Sequence, residues 1–158
     1  MVRTLDLQFE DFAIPLVGLP VSHSWRVHGS DIFLEFAKFS PPSRLRRDGS
    51  PCAPRGEMGL MIEWSWRIEG RRSILCGSWS DEERWPRALA CLTRASVAGA
   101  SLFGRLPEID IALSSGLHVV SLMTTQGDPA WTLFDRRDGE DRWIGVRCGR
   151  LLAEMTVG

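Results

Sequence analysis

Alternation with a period of two dominates this chain. Across residues 60–69 apolar and polar positions interleave, with Leu60, Ile62, Trp64, Trp66 and Ile68 on one face and Met61, Glu63, Ser65, Arg67 and Glu69 on the other. Neighbouring strand side chains point to opposite faces, so this run predicts a half-buried strand. Gly70-Arg71 then turns the chain into residues 73–77, the predicted hairpin partner. Residues 31–38 alternate in the same way, with Ile32, Leu34 and Phe36 against Asp31, Phe33, Glu35 and Ala37. Upstream, Trp25 and Val27 alternate with Ser24, Arg26 and His28, and Gly29-Ser30 reads as a two-residue hairpin turn. That turn sets His28 opposite Asp31, Val27 opposite Ile32 and Trp25 opposite Leu34, with Trp25 inward. A slip of one residue would exchange the two faces.

The same pattern continues downstream. Residues 107–113 place Ile109, Ile111 and Leu113 inward, and Ser114-Ser115-Gly116 reads as a three-residue loop with Gly116 in the left-handed region. Residues 117–121 pair back, setting His118 across from Ala112. Residues 131–134 and 142–148 form a last pair, and residues 150–157 add an edge strand. One helix is predicted within residues 81–94. Ser80 and Glu83 have capping-box spacing, and Trp85, Ala88, Leu89 and Leu92 follow at helical intervals. Pro86 lies one turn too deep for that cap, which predicts an irregular first turn or a regular helix starting at Pro86.

Residues 40–59 break the alternation. They hold four Pro and three Gly and predict a long, mobile loop between two strands. Arg44, Arg46, Arg47 and Arg55 give it a basic patch, either a solvated tip or a docking loop for an acidic partner. A weak internal repeat flanks it. Val21 matches Val97 and Val27 matches Phe103; after one inserted residue, Ile32, Leu34 and Phe36 match Ile109, Ile111 and Leu113. Each copy precedes a strand and a Trp-bearing segment, Trp64-Ser65-Trp66 in one and Trp131 in the other. Two hairpins alike by chance would look the same. The repeat reading gives two similar β units with a shared Trp-rich core. The expected fold class is α+β: a mostly antiparallel β-sheet sandwich or roll with one main α-helix, residues 1–158 making a single domain.

The 158 residues are 44% hydrophobic and 25% charged, the balance of a globular protein, and the formal net charge of −1 supplies no global field for nucleic acid or an acidic membrane. Residues 1–10 lack a leader pattern, and no apolar run approaches the roughly 18 residues of a membrane span, so a cytoplasmic location is expected. Lys38 is the single lysine beside eighteen arginines, and Tyr is absent beside seven Trp. Acid–base chemistry would therefore rest on His23, His28, His118 or a carboxylate. Cys76, Cys91 and Cys148 sit in regular or apolar segments and read as small, reduced core residues. No cysteine has zinc-ligand spacing, and neither a cofactor nor a metal is expected.

No catalytic motif of fixed spacing is present. The polar residues that converge best are Arg26, His28, Asp31 and Glu35 on the first hairpin, with Glu63 and Arg67 from the next strand. His28 opposite Asp31 could move a proton, with Glu35 as a third group. The same residues would serve equally as cross-strand pairs on a wet face. Among the Trp residues, Trp79 and Trp143 are the ones expected to be partly exposed.

Gly18-Leu19-Pro20, His28-Gly29-Ser30 followed by Leu34-Glu35-Phe36, and Trp64-Ser65-Trp66-Arg67-Ile68-Glu69 together resemble an uncharacterised family of small bacterial proteins. That family has the pattern GLP…HGS-x-x-LEF…W-x-W-R-x-E. The resemblance covers residues from about 15 to 150 and implies a single bacterial domain with no assigned catalytic residues. Small domains of this kind accompany toxin–immunity loci. The expected function is thus a non-enzymatic cytoplasmic protein-binding module, immunity-like and homodimeric, acting through the 40–59 loop or an exposed sheet face. The alternatives are a small enzyme using His28, Asp31 and Glu35, and a Trp-lined small-ligand carrier. Neither nucleic acid nor membrane is an expected partner.

Overall fold

The computed structural model describes residues 5–40, 45–125 and 130–154. These form two antiparallel sheets and two short helices, an α+β fold dominated by β structure. Helix α1 (Leu5–Leu16) leads into β1 (Val21–Arg26), β2 (Ile32–Phe36), β3 (Met58–Ile62), β4 (Trp66–Glu69) and β5 (Ile74–Gly77). A 3-10 turn (Glu82–Arg84) and α2 (Trp85–Ala90) follow, then β6 (Val97–Phe103), β7 (Glu108–Leu113), β8 (His118–Ser121), β9 (Trp131–Asp135), β10 (Arg142–Arg147) and β11 (Arg150–Glu154). The first sheet runs β1-β2-β3-β9-β10-β11 and the second β5-β4-β8-β7-β6. Ile32, Leu34, Leu60, Ile68, Ile109, Ile111, Leu133 and Ile144 are wholly buried in one core shared by both sheets.

The strand order conceals an exchange. The first sheet is β1-β2-β3 completed by β9, β10 and the edge strand β11, while the second is β6-β7-β8 completed by β4 and β5. Each half of the chain thus builds three strands of one sheet and lends strands to the other, two from the first half and three from the second. The halves meet at an antiparallel bridge between Pro20 and Ser96. These two residues immediately precede the matched Val21 and Val97, so the bridge marks an approximate two-fold axis. Hydrogen bonds repeat across it: Ala37 N–H donates to Pro20 O at 2.9 Å, and Ser114 N–H to Ser96 O at 2.7 Å. Both first strands bulge just after the matched valine.

The helices obey the same relation. Phe9, Phe12, Ala13 and Leu16 of α1 correspond to Trp85, Ala88, Leu89 and Leu92, and all eight are buried. Each helix packs on the other half's sheet contribution or first strand: α1 on β6 and β10, α2 on β1 and β5. Phe9 meets Trp131 edge-on at 6.2 Å, and Trp85 meets Trp66 edge-on at 5.1 Å. Burying an aromatic such as Phe12 completely contributes about 2–3 kcal/mol, so these faces fix both helices.

Three expectations require correction. First, residues 60–69 are not one strand. Glu63, Trp64 and Ser65 carry the chain from the first sheet to the second, and Trp64 has φ +67° with 53% exposure. The apolar alternation survives because both sheets face the same core, so a strand that changes sheets keeps its inward parity.

Second, the β1–β2 register is one residue away from the predicted one. Val27 N–H donates to Asp31 O at 2.9 Å around His28-Gly29-Ser30, a three-residue loop with Gly29 at φ +57°. Trp25 therefore pairs with Phe33 and faces outward. Ser24 and Arg26 turn inward to α2, where Ser24 Oγ donates to Leu89 O at 2.7 Å and the Arg26 guanidinium lies over the Trp85 ring.

Third, the helix expected within residues 81–94 is present as α2 with an irregular first turn, but the second helix, α1, is not among the expected elements. The capping box does not form: Ser80 Oγ accepts instead from Gly77 N–H at 3.0 Å, and the first turn is 3-10 before Pro86 enters α2. The predicted loop between β2 and β3 is folded back on itself by bridges Ser40–Arg55 and Leu45–Pro51. Of the cysteines, Cys76 is buried, but Cys91 and Cys148 are exposed, which removes them from the core.

Candidate functional site: the outward face of the six-stranded sheet

The outward face of the first sheet is built by the alternate positions left over once the core is filled. Across β1, β2, β3 and β9 these are His23 and Trp25, Phe33 and Glu35, Gly59 and Met61, and Thr132 and Phe134. The rings of His23, Trp25, Phe33 and Phe134 form a ladder across the strands. Trp25 stacks on Phe33 at 5.1 Å and 10°, Phe33 on Phe134 at 5.9 Å and 12°, and His23 on Trp25 at 5.0 Å. Gly59 lies between Phe33 and Phe134, and its missing side chain lets them approach. A Cβ there would lie 2.7 Å from Phe33 Cε1 and 2.9 Å from Glu35 Oε2.

Glu35 is 1% exposed within this ladder. Its Oε2 accepts from Gly56 N–H at 2.9 Å and from Arg136 Nη1 at 3.0 Å. Burial pushes its carboxyl above the ordinary range, and Arg136 and the Gly56 N–H pull it only part of the way back. The Arg136 guanidinium also lies over Phe33 and Phe134, at 5.9 and 5.2 Å from the ring centroids. The ladder's ring faces are thus taken up by one another and by Arg136, so it presents ring edges rather than an open aromatic platform.

The approximate two-fold supplies an internal comparison. On the second sheet Ser101 stands where Trp25 stands on the first, Asp110 where Phe33 stands, and Glu69 where Phe134 stands. That face carries Val120 and Phe103 but is otherwise polar: His118 Nδ1 lies 2.8 Å from Asp110 Oδ1, and Arg67 Nε donates to Glu69 Oε2 at 3.1 Å. One backbone plan therefore carries polar side chains at the three positions where the other sheet carries the aromatic ladder.

The residues expected to form an acid–base site do not converge. His28 and Asp31 share the β1–β2 turn, and His28 is exposed. Glu35 lies four residues farther along the strand, about 13 Å away. It is sealed beneath Arg136, a partner the sequence reading did not assign to it. Arg46 and Arg47 lie at the tip of the loop, Arg55 at its base 3.4 Å from Asp141, and Arg44 outside the described residues. Trp79 is 89% exposed, as expected, and Trp143 is half-buried. A pocket lined by Glu63, Trp64, Met123 and Thr125 has a volume of about 10 Å³, room for one water molecule. Among the described residues no group of three His, Cys, Asp or Glu side chains could hold a metal ion. No helix among them is long and apolar enough to cross a membrane.

Comparison with family models, with curated proteins and with solved structures returned no match to this chain.

Proposed function

We propose that this chain is a non-enzymatic cytoplasmic protein-binding module, immunity-like in character, whose contact surface is the outward face of the six-stranded sheet. The carrying observation is the inequality of two equivalent faces. Trp25, Phe33 and Phe134 occupy positions where the second sheet has Ser101, Asp110 and Glu69. Solvent alone gives no reason for aromatic residues on one face and charges on its counterpart, whereas a protein contact favours aromatic, Met and Arg side chains. The edge-on ladder also argues for a protein surface over a sugar or nucleobase, because those ligands need an open ring face. The enzyme reading has the weaker support, since His28 lies in the β1–β2 turn and Glu35 near the far end of β2.

A photo-reactive amino acid placed at position 61, at the centre of this face, tests the reading against the same probe at position 101. Cross-linking in the native lysate should give protein adducts from position 61 and none from position 101. Equal yields from both positions would overturn it.

A further inference from the structure

We infer that the partner on this face is a second copy of the same chain, the two six-stranded sheets stacking face to face about a two-fold axis. The inference rests on the binding reading above and adds the identity of the occupant.

Shape is the first argument. The middle of the face alternates the small Gly59, Thr132 and Gly145 with the larger Met61, Phe134 and Trp143, the relief with which two sheet faces interdigitate. At Gly145 a Cβ would lie 2.5 Å from Trp131 O, so that strand cannot carry a projecting side chain there. A helix or an extended peptide needs a groove, whereas a sheet face packs on another sheet face.

Charge is the second argument. The charges among these side chains nearly balance, Arg136, Arg147 and Arg150 standing against Glu35 and Glu154. Arg136 pairs with Glu35 at 3.0 Å, and Arg147 and Glu154 meet on Trp143: the Arg147 guanidinium lies 5.0 Å from the ring centroid, and the indole N–H donates to Glu154 Oε2. A surface built for a strongly charged partner would carry an unmatched excess of one sign. A surface with an excess of only one charge, placed at its β10–β11 edge by Arg147 and Arg150, can meet its own copy with little repulsion, as a closed two-fold interface requires.

Area is the third argument. Six strands at about 4.8 Å spacing and five residues at about 3.4 Å span roughly 29 by 17 Å. Doubled over two copies, this is roughly 1,000 Å², the lower bound of a specific interface. The dimer should therefore dissociate on dilution. Leu152, 44% exposed on β11, and Met61 would lie inside it.

Sedimentation velocity from low to high micromolar concentration tests the inference. The wild-type chain should shift from the mass of one chain towards that of two. Met61→Arg and Leu152→Arg should each abolish the shift, while Ser101→Arg on the second sheet should leave it intact, with unchanged circular dichroism confirming that all three fold. A single-chain mass throughout, or a shift indifferent to Met61→Arg and Leu152→Arg, overturns the inference. If the wild type remains single while the probe at position 61 captures a different polypeptide, the homodimer falls and the binding reading stands. If that probe also captures nothing, both fall.

Discussion

Trp66 and Trp131 hold the same position in the two halves of the chain. The Trp66 indole N–H donates to Ser30 O at 2.7 Å and that of Trp131 to Pro107 O at 2.9 Å. Ser30 and Pro107 each lie two residues before the matched Ile32 and Ile109. Opposite each Trp a glycine closes the contact: Gly77 would bring a Cβ to 3.1 Å from Trp66 O, and Gly145 to 2.5 Å from Trp131 O. Each indole ties the strand that its half lends to the other sheet back to the hairpin turn of that same half.

Trp66→Phe and Trp131→Phe should therefore destabilise the protein by similar amounts. Each keeps a ring and leaves a carbonyl without its donor, a loss of about 1–3 kcal/mol. The two sites are related by the axis and share no partner, so the double variant should show the sum to within about 0.5 kcal/mol. Urea denaturation monitored by far-UV circular dichroism measures all three. A negligible loss at either site would remove that hydrogen bond from the account of the fold.

Much of this was legible in the sequence, and the failures have physical causes. The buried faces of β2, β7 and β8, and the three-residue loop ending at Gly116, follow directly from alternation and turn chemistry. The repeat was visible in Val21/Val97 and Ile32/Ile109, and it runs back into the helices. Phe9, Phe12, Ala13 and Leu16 have the helical spacing that would have revealed α1. What could not be read was which sheet a strand joins, because an inward residue looks the same in either. Nor could the sequence decide between a two-residue and a three-residue turn at Gly29, and that single residue moves Trp25 from the core to the outer face. The Glu35–Arg136 contact spans 101 positions and leaves no local signal.

Arg136→Leu should make stability depend more steeply on pH. Burial raises the Glu35 carboxyl above its unfolded value, and Arg136 offsets part of that rise. A carboxyl raised in the folded state contributes stability below its unfolded pKa, and the contribution is lost as pH rises through the folded value. Without Arg136 the folded value climbs farther, so the variant should lose about 3–5 kcal/mol near neutrality and clearly less at pH 4. Adding Glu35→Gln should restore part of the loss at pH 7. Denaturant midpoints at the two pH values decide the matter, and an equal loss at both would show that Glu35 does not titrate in this way.

Asp135 should act in the opposite sense. It is 1% exposed; burial raises its carboxyl, but the Arg137 side chain and backbone N–H and the Arg142 side chain outweigh burial and hold it at about 2. Its contribution is present above the unfolded carboxylate pKa and is lost as pH falls through about 2. The shift from 3.8 corresponds to about 2 kcal/mol at neutral pH. Asp135→Asn should therefore be less stable than wild type at pH 7, with the gap closing between pH 4 and pH 2. A gap that stays constant down to pH 2 would mean that Asp135 acts through packing alone.

Gly59→Ala and Gly99→Ala should move stability in opposite directions, although both glycines lie in strands. At Gly59 the added methyl meets Phe33 Cε1 at 2.7 Å, Glu35 Oε2 at 2.9 Å and Arg136 Nη1 at 3.1 Å. One of these must give way, either unstacking the ladder or lengthening the buried ion pair, at about 1–3 kcal/mol. At Gly99 the methyl meets nothing within 4 Å and the backbone has no positive φ, so alanine restricts only the unfolded chain and stabilises by about 0.4–1 kcal/mol. Thermal melts should place Gly59→Ala below wild type and Gly99→Ala at or above it. Because Gly59→Ala disturbs the centre of the aromatic face, it should also weaken self-association at temperatures where the chain is still folded, and Gly99→Ala should not.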